Sequence, residues 1–261
     1  MKLLTLNCHS WQEEDQLDKI RILAETIAAE DYDVAALQEV SQLASAPRLT
    51  PPLREGNFLL ILLEELKKIT GRDYHSVWDF AHIGFEVYEE GAALISKHPI
   101  KKKHSFFVSQ SQDPAFWKTR KVVGAAIEID GKLMNFYSCH LGWWEDEEEP
   151  FQEQADRLLA NLSGDGTHFL IGDFNNNAGT RDQGYDYLIS KGLRDTYELA
   201  ENKDTGITVE GKIAGWDKNT ETLRIDLILA SQPIKIKSST VIFNGTNRPV
   251  ISDHFGVQIE F

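Results

Sequence analysis

No stretch of the 261-residue chain holds the roughly 20 consecutive apolar residues that a membrane-spanning helix requires. A signal peptide is not evident either. Met1-Lys2-Leu3-Leu4-Thr5-Leu6 enters an alternating strand at once, without a longer apolar core or a small-residue cleavage site. The chain is therefore expected to work in the cytoplasm, with no membrane partner. Cysteine is scarce: Cys8 and Cys139 stand beside His9 and His140, but neither has the C-x-x-C partner of a zinc site. They read as buried thiols. A surplus of positive charge is also lacking, since 27 Lys and Arg face 41 Asp and Glu for a net charge of −14. Proteins that grip long nucleic acid by its phosphates carry a basic stripe, so nucleic acid is an unfavoured partner. The strongest basic cluster, Lys97 to His104, is short, and Glu145-Asp146-Glu147-Glu148-Glu149 reads as a solvated acidic loop. No repeat, biased tract or linker breaks the pattern, which predicts one domain over residues 1–261 with no obligate protein partner evident.

What is present is a substantial apolar fraction, 41%, arranged with clear periods. Residues 1–6 alternate as a strand with Asn7 at its end. Leu17, Ile20, Ala24, Ile27 and Ala28 recur at helical spacing, and Val34 to Leu37 form a short buried strand followed by Gln38-Glu39. Such a strand-helix-strand unit makes the two strands parallel neighbours and brings Asn7 and Glu39 to one edge. Residues 42–56, with three prolines, read as a loop; Asn57 caps a helix through about Thr70 that Gly71 ends. Ala92 to Ser96 reads as a strand, and residues 121–129 and 132–140 form a hairpin about Asp130-Gly131. Ala155, Leu158, Leu159 and Leu162 mark another helix, before a strand ending at Asp173. Leu223 to Leu229 and Phe255 to Phe261 complete the strands. The pattern predicts two mixed sheets packed together with helices outside.

Polar residues capable of chemistry gather at the strand ends. In Ile171-Gly172-Asp173-Phe174-Asn175, a carboxylate and a carboxamide two residues apart share one face if the segment is extended. One can hold or deprotonate a water and the other can hydrogen-bond around it. Asp226 interrupts the apolar run Ile225 to Leu229, and a buried carboxylate needs a partner. His254 would serve, with Asp226 fixing its tautomer; Arg224 or a backbone amide is the alternative.

The ordered set Leu6-Asn7, Gln38-Glu39-Val40, Ser138-Cys139-His140, Gly172-Asp173-Phe174-Asn175, Arg224-Ile225-Asp226 and Ser252-Asp253-His254 resembles the endonuclease/exonuclease/phosphatase superfamily along essentially the whole chain. The resemblance implies an α/β (α+β) fold, a four-layer α/β/β/α sandwich. It also implies hydrolysis of phosphate esters with Mg²⁺, Mn²⁺ being the alternative ion. It assigns Glu39 as principal metal ligand, with Asn7 beside it and Asp253 near the metal; hard oxygen ligands suit this ion. Asp173 would orient or deprotonate the attacking water, steadied by Asn175. His254, held by Asp226, would stabilise developing charge. His140 would be the second active-site histidine, paired with Glu90, or with its neighbour Glu89. Arg120 resembles a phosphate-contacting arginine; the alternative is an exposed salt bridge.

Six tryptophans bear on the substrate. Trp117, Trp143, Trp144 and Trp216 lie near proposed site residues, and indole faces pack against sugar C–H faces; burial in the core is the competing account. Adjacent Trp143 and Trp144 would face opposite sides of a strand, which makes burying both difficult. The segments around Asn7, Glu90, Trp117 and Trp143 resemble a subgroup that dephosphorylates sugar phosphates. That implies an intracellular phosphomonoesterase acting on a small sugar phosphate, maltose 6′-phosphate above others. A metal-dependent nuclease and a non-catalytic binding protein on the same fold are the alternatives.

Overall fold

The computed structural model describes residues 1–261. The first half contains β1 (Lys2–Asn7), α1 (Gln16–Glu30), β2 (Val34–Leu43), α2 (Phe58–Thr70), β3 (His75–Gly84), β4 (Tyr88–Ser96) and β5 (Ile100–Phe107). There follow β6 (Lys121–Ile129), β7 (Lys132–His140), α3 (Phe151–Ala160), β8 (Thr167–Asp173), α4 (Gly184–Ser190), β9 (Arg194–Asp195) and α5 (Thr196–Leu199). The chain closes with β10 (Ala200–Lys203), β11 (Val209–Glu210), β12 (Thr222–Leu223), β13 (Asp226–Ala230), β14 (Ile236–Ile242) and β15 (Gly256–Glu260). No helix is long and apolar enough to cross a membrane.

Two mixed sheets form the frame, one ordered β10-β14-β15-β1-β2-β4-β3 and the other β5-β6-β7-β8-β13-β9. Alternation along each strand divides the core into layers. Leu3, Ala36, Leu94, Phe136, Phe169 and Ile171 fill the space between the sheets. Their strand neighbours Leu4, Leu37 and Ala93 face Ile20 of α1 and Leu62 of α2. On the far side, Tyr137 and Leu170 face Phe151 of α3 and Leu188 of α4. The result is the four-layer α/β/β/α sandwich.

Local signals account for both ends of α2. The Asn57 side chain accepts from the Leu59 and Leu60 amides, and Gly71 closes α2 in a left-handed conformation. β1 and β2 are parallel, with Asn7 beside Gln38. Three long strands carry little sequence signal, β3, β5 and β14, as do the short β9, β10 and β11. β3 and β5 are sheet edges, and Lys101 to Lys103 place the basic cluster on β5, where charge blunts an open edge. The acidic segment is not merely solvated. Glu149 is buried and accepts from the Gln110 and Ser111 amides at 2.7 and 2.8 Å, while Asp146 and Glu148 each hold Lys118 at 2.7 Å. Residues 145–149 thus dock the loop bearing Trp117. Both cysteines are buried and free, and burial pushes their thiols upward.

One buried amide joins the sheets. Gln38 of β2 accepts from Thr5 Oγ1 at 3.1 Å and donates to Ser138 Oγ of β7 at 2.9 Å, and Ser138 donates to Leu37 O at 3.0 Å. Gly172 makes room for this bridge. It has φ +148°, and a Cβ there would lie 2.0 Å from Cys139 O and 2.9 Å from Gln38 Nε2. Gly172→Ala is expected to destabilise the fold by about 3 kcal/mol, because neither a paired strand nor a locked amide can retreat. The midpoint of urea unfolding would measure this, and an unchanged midpoint would refute the account.

Candidate active site

The parallel strands β1, β2, β7 and β8 deliver Asn7, Glu39, His140 and Asp173 to one end of the sandwich. Regular pleating alone would not aim Glu39. Between Leu37 and Val40 the pairing of β2 with β4 slips, and Glu39 takes a left-handed φ of +50°. The Ser10 amide and hydroxyl both donate to Glu39 O, and Ser10 Oγ accepts from the Ser41 amide, which fixes the bulge. A second slip, between Phe80 and His82 in the pairing of β3 with β4, turns His82 toward Glu90. Gly91 lies opposite both irregularities, and a Cβ there would meet Asp79 O at 2.0 Å.

These residues surround a cavity of about 300 Å³. Glu39, Glu90, Arg120, His140, Asp173, Asn175 and His254 line it, with Trp117, Trp143 and Phe85 among the wall residues. Asp173 is its hub. Its Oδ1 accepts from the Asn175 amide at 2.8 Å and its Oδ2 from Asn7 Nδ2 at 3.2 Å; His140 Nε2 and His254 Nε2 lie 3.7 and 3.8 Å from Oδ2. The adjacency of Asp173 and Asn175 does not come from an extended strand. β8 ends at Asp173, and Asn175 sits in a turn with φ +49° that brings its Nδ2 to Leu141 O.

His254 Nδ1 meets Asp226 Oδ2 at 2.9 Å, as expected, while Arg224 pairs instead with Asp195. Because a carboxylate accepts, Nδ1 donates and Nε2 is the nitrogen left to face the cavity. Burial disfavours the imidazolium, but Asp226, with Asp173 and Asp253, outweighs it and holds His254 up at about 10. His140 goes the other way: burial and the nearby Arg120 charge hold it well below the usual histidine range. One cavity therefore contains a cationic imidazole and a neutral one, divided by their surroundings.

Glu90 does not take His140 as its hydrogen-bonding partner. Its Oε1 lies 3.3 Å from His82 Nε2, and His82 Nδ1 lies 3.1 Å from Thr119 O. Glu89 points the other way on β4 and is bound bidentately by Arg54 at 2.8 Å. His82 gave no signal in the sequence because it sits inside an edge strand rather than at a strand end. Arg120 is no exposed ion pair either. It is buried, donates to Trp117 O at 2.8 Å, lies 5.9 Å from the Trp143 ring centroid and leaves Nε without a partner. The four candidate tryptophans divide: Trp117 and Trp143 line this cavity, whereas Trp144 and Trp216 line an adjoining one that Trp143 shares.

A divalent cation fits the donor set. Ligand atoms of Glu39, Glu90 and His140 lie within 4.8 Å of one another. Burial, with the charges of Glu90 and Asp253, pushes Glu39 up to about 8, so its ionised form needs a positive neighbour. Two hard carboxylates plus one imidazole suit a small divalent ion. Two expected ligands stand differently. Asn7 turns its Nδ2 to Glu39 Oε1 at 2.8 Å while its Oδ1 accepts from the His9 amide at 3.1 Å, so it steadies the carboxylates. Asp253 groups with His9 and Glu13, where Glu13 is already engaged by His9 and Lys19.

A family model described as the Endonuclease/Exonuclease/phosphatase family matches residues 4–254. Among solved structures, an endonuclease/exonuclease/phosphatase family protein from Leptotrichia buccalis is 41% identical with TM-score 0.94, over 100% of this chain and 98% of that one. A mannosyl-6-phosphatase from Bacteroides thetaiotaomicron is 18% identical, with TM-score 0.73 over 100% and 98% of the two chains. The 3′ phosphatase NExo from Neisseria, bound to a product DNA hairpin, is 19% identical, with TM-score 0.66 over 100% and 99%. No curated protein matches in sequence.

Asp226→Asn keeps the shape beside His254 but removes the charge. The His254 pKa is then expected to fall from about 10 toward the ordinary value of about 6.5. Imidazole NMR titration measures this, and an unmoved resonance would remove Asp226 from this role.

Proposed function

The chain belongs to the endonuclease/exonuclease/phosphatase family, whose members are mostly hydrolases and typically use a divalent metal, and we propose that it is a sugar-phosphate phosphomonoesterase. Maltose 6′-phosphate is the substrate we favour, Mg²⁺ the ion with Mn²⁺ as substitute, and the cytoplasm the compartment. One observation weighs most. Arg120 Nε and Trp143 Nε1 are buried donors without partners, on two residues that line the cavity. Buried donors need acceptors, and the oxygens of a phosphate ester and its sugar supply them.

A divalent cation at Glu39, Glu90 and His140 would screen phosphate charge and help stabilise the transition state. The remaining roles belong to the side chains. Asp173 takes a proton from water or orients it, with Asn175 and Asn7 fixing the carboxylate. The His254 cation faces the phosphate through Nε2, and Arg120 supplies a fixed guanidinium. Trp117 and Phe85, each about half exposed, and Trp143 offer faces to a sugar ring. A nuclease reading has less support. No residue of Lys97 to His104 lines the cavity, and the net charge of −14 repels a phosphate backbone. The mannosyl-6-phosphatase neighbour favours the sugar reading, and the DNA 3′ phosphatase neighbour makes DNA the necessary control.

Phosphate release from maltose 6′-phosphate, glucose 6-phosphate and a 3′-phosphorylated oligonucleotide, with strand cleavage of an abasic oligonucleotide followed in parallel, each with Mg²⁺ and with chelator, tests this reading. Release from a sugar phosphate that chelator abolishes is the expected result; activity on an oligonucleotide alone would overturn it. Asp173→Asn is expected to lower turnover on the order of 10³-fold while circular dichroism stays unchanged. Near-normal activity in that variant would rule out its assignment.

A further inference from the structure

A second cavity of about 340 Å³ adjoins the first and shares Trp143 and Asn175 with it. We infer that this cavity is a binding subsite for a neutral pyranose ring linked to the phosphorylated one. The inference rests on the sugar-phosphatase reading of the neighbouring cavity. Its volume falls within the roughly 300–1,000 Å³ of small-molecule sites.

The lining chemistry selects the ligand. Trp144 and Trp216 supply indole surface, while Glu145, Gln183 and Glu221 supply polar ends. The side chains of these last three make no hydrogen bond or ion pair within the chain, so their capacity is available to a ligand. Carboxylates accept from hydroxyls and a carboxamide does both, the complement of a sugar's hydroxyl array. No lysine or arginine lines the cavity, so a second phosphate or a nucleotide backbone would meet two carboxylates without a counter-charge. Trp216 also ties the subsite to the reaction centre, since its Nε1 donates to Asn175 Oδ1 at 2.9 Å. Trp143 and Asn175 line both cavities, which places the subsite directly beside the reaction centre.

Gln183 and Glu221 test this without touching Asp173 or the histidines. Gln183 precedes α4 but makes no side-chain capping bond, and Glu221 is exposed. In the Gln183→Ala, Glu221→Ala double variant, the ratio of kcat/KM for maltose 6′-phosphate to that for glucose 6-phosphate is expected to fall about tenfold. Unphosphorylated maltose, followed by saturation-transfer NMR, is expected to bind the wild-type protein and to bind the double variant correspondingly more weakly. An unchanged ratio, no maltose binding, or equal binding by both proteins would overturn the subsite. If neither sugar phosphate is hydrolysed, the phosphatase reading fails separately and maltose binding decides the cavity alone. Displacement of maltose by a short oligonucleotide would also count against it.

Discussion

The Gln38 amide is the interaction on which the site depends. It crosses an otherwise apolar interior, and a buried amide left unpaired is costly. Thr5 holds its oxygen within the first sheet, and only one relative placement of the second sheet brings Ser138 to its nitrogen. That placement sets Glu39, the next residue on β2, across from His140, two residues beyond Ser138 on β7. Hydrophobic packing between flat layers tolerates sliding, but a satisfied amide does not. The bare Cα of Gly172 permits the approach. Alignment of the reacting groups is therefore built into the core rather than left to surface loops.

The two sheets divide the chemistry between them. The first contributes Asn7, Glu39, His82 and Glu90; the second contributes His140, Asp173 and Asp226. His254 arrives from the turn before β15. Glu39 and Asn7 of the first sheet meet His140 and Asp173 of the second only where the layers face each other, so this cluster exists only in the folded sandwich. Three cavity-lining residues other than glycine take a left-handed φ: Glu39 in the bulge, Asn175 in the turn after β8, and Phe85.

Much of this was legible in the sequence, for a physical reason. Where apolar alternation stops at Asn7, Glu39, His140 or Asp173, the chain leaves the core and its polar ends converge. The Asp226–His254 pair followed from the cost of a lone buried carboxylate. Asn57, Gly71 and Asp130-Gly131 marked their boundaries through local hydrogen bonding and backbone freedom alone. The failures have causes of the same kind. β3 and β5 hide because edge strands mix lysine, histidine and serine with apolar residues. His82 hides inside one of them, and with it the true partner of Glu90. Asn175 stands beside Asp173 through a turn and not through an extended strand, because a period of two holds only while a strand continues. The division of the tryptophans between two cavities depends on loop paths that no periodicity encodes.

The clasp between residues 109–119 and 145–149 has an evolutionary consequence. Glu149 is buried against the amides of one loop, and Lys118 is held by two acids of the other. Neither loop can be exchanged singly without stranding charge. Exchanged together, with the second loop taken from residue 143, they form a cassette that brings Trp117, Trp143 and Trp144 as a set. A lineage could acquire a new ligand preference by replacing that cassette while the polar residues at the strand ends stayed as they were.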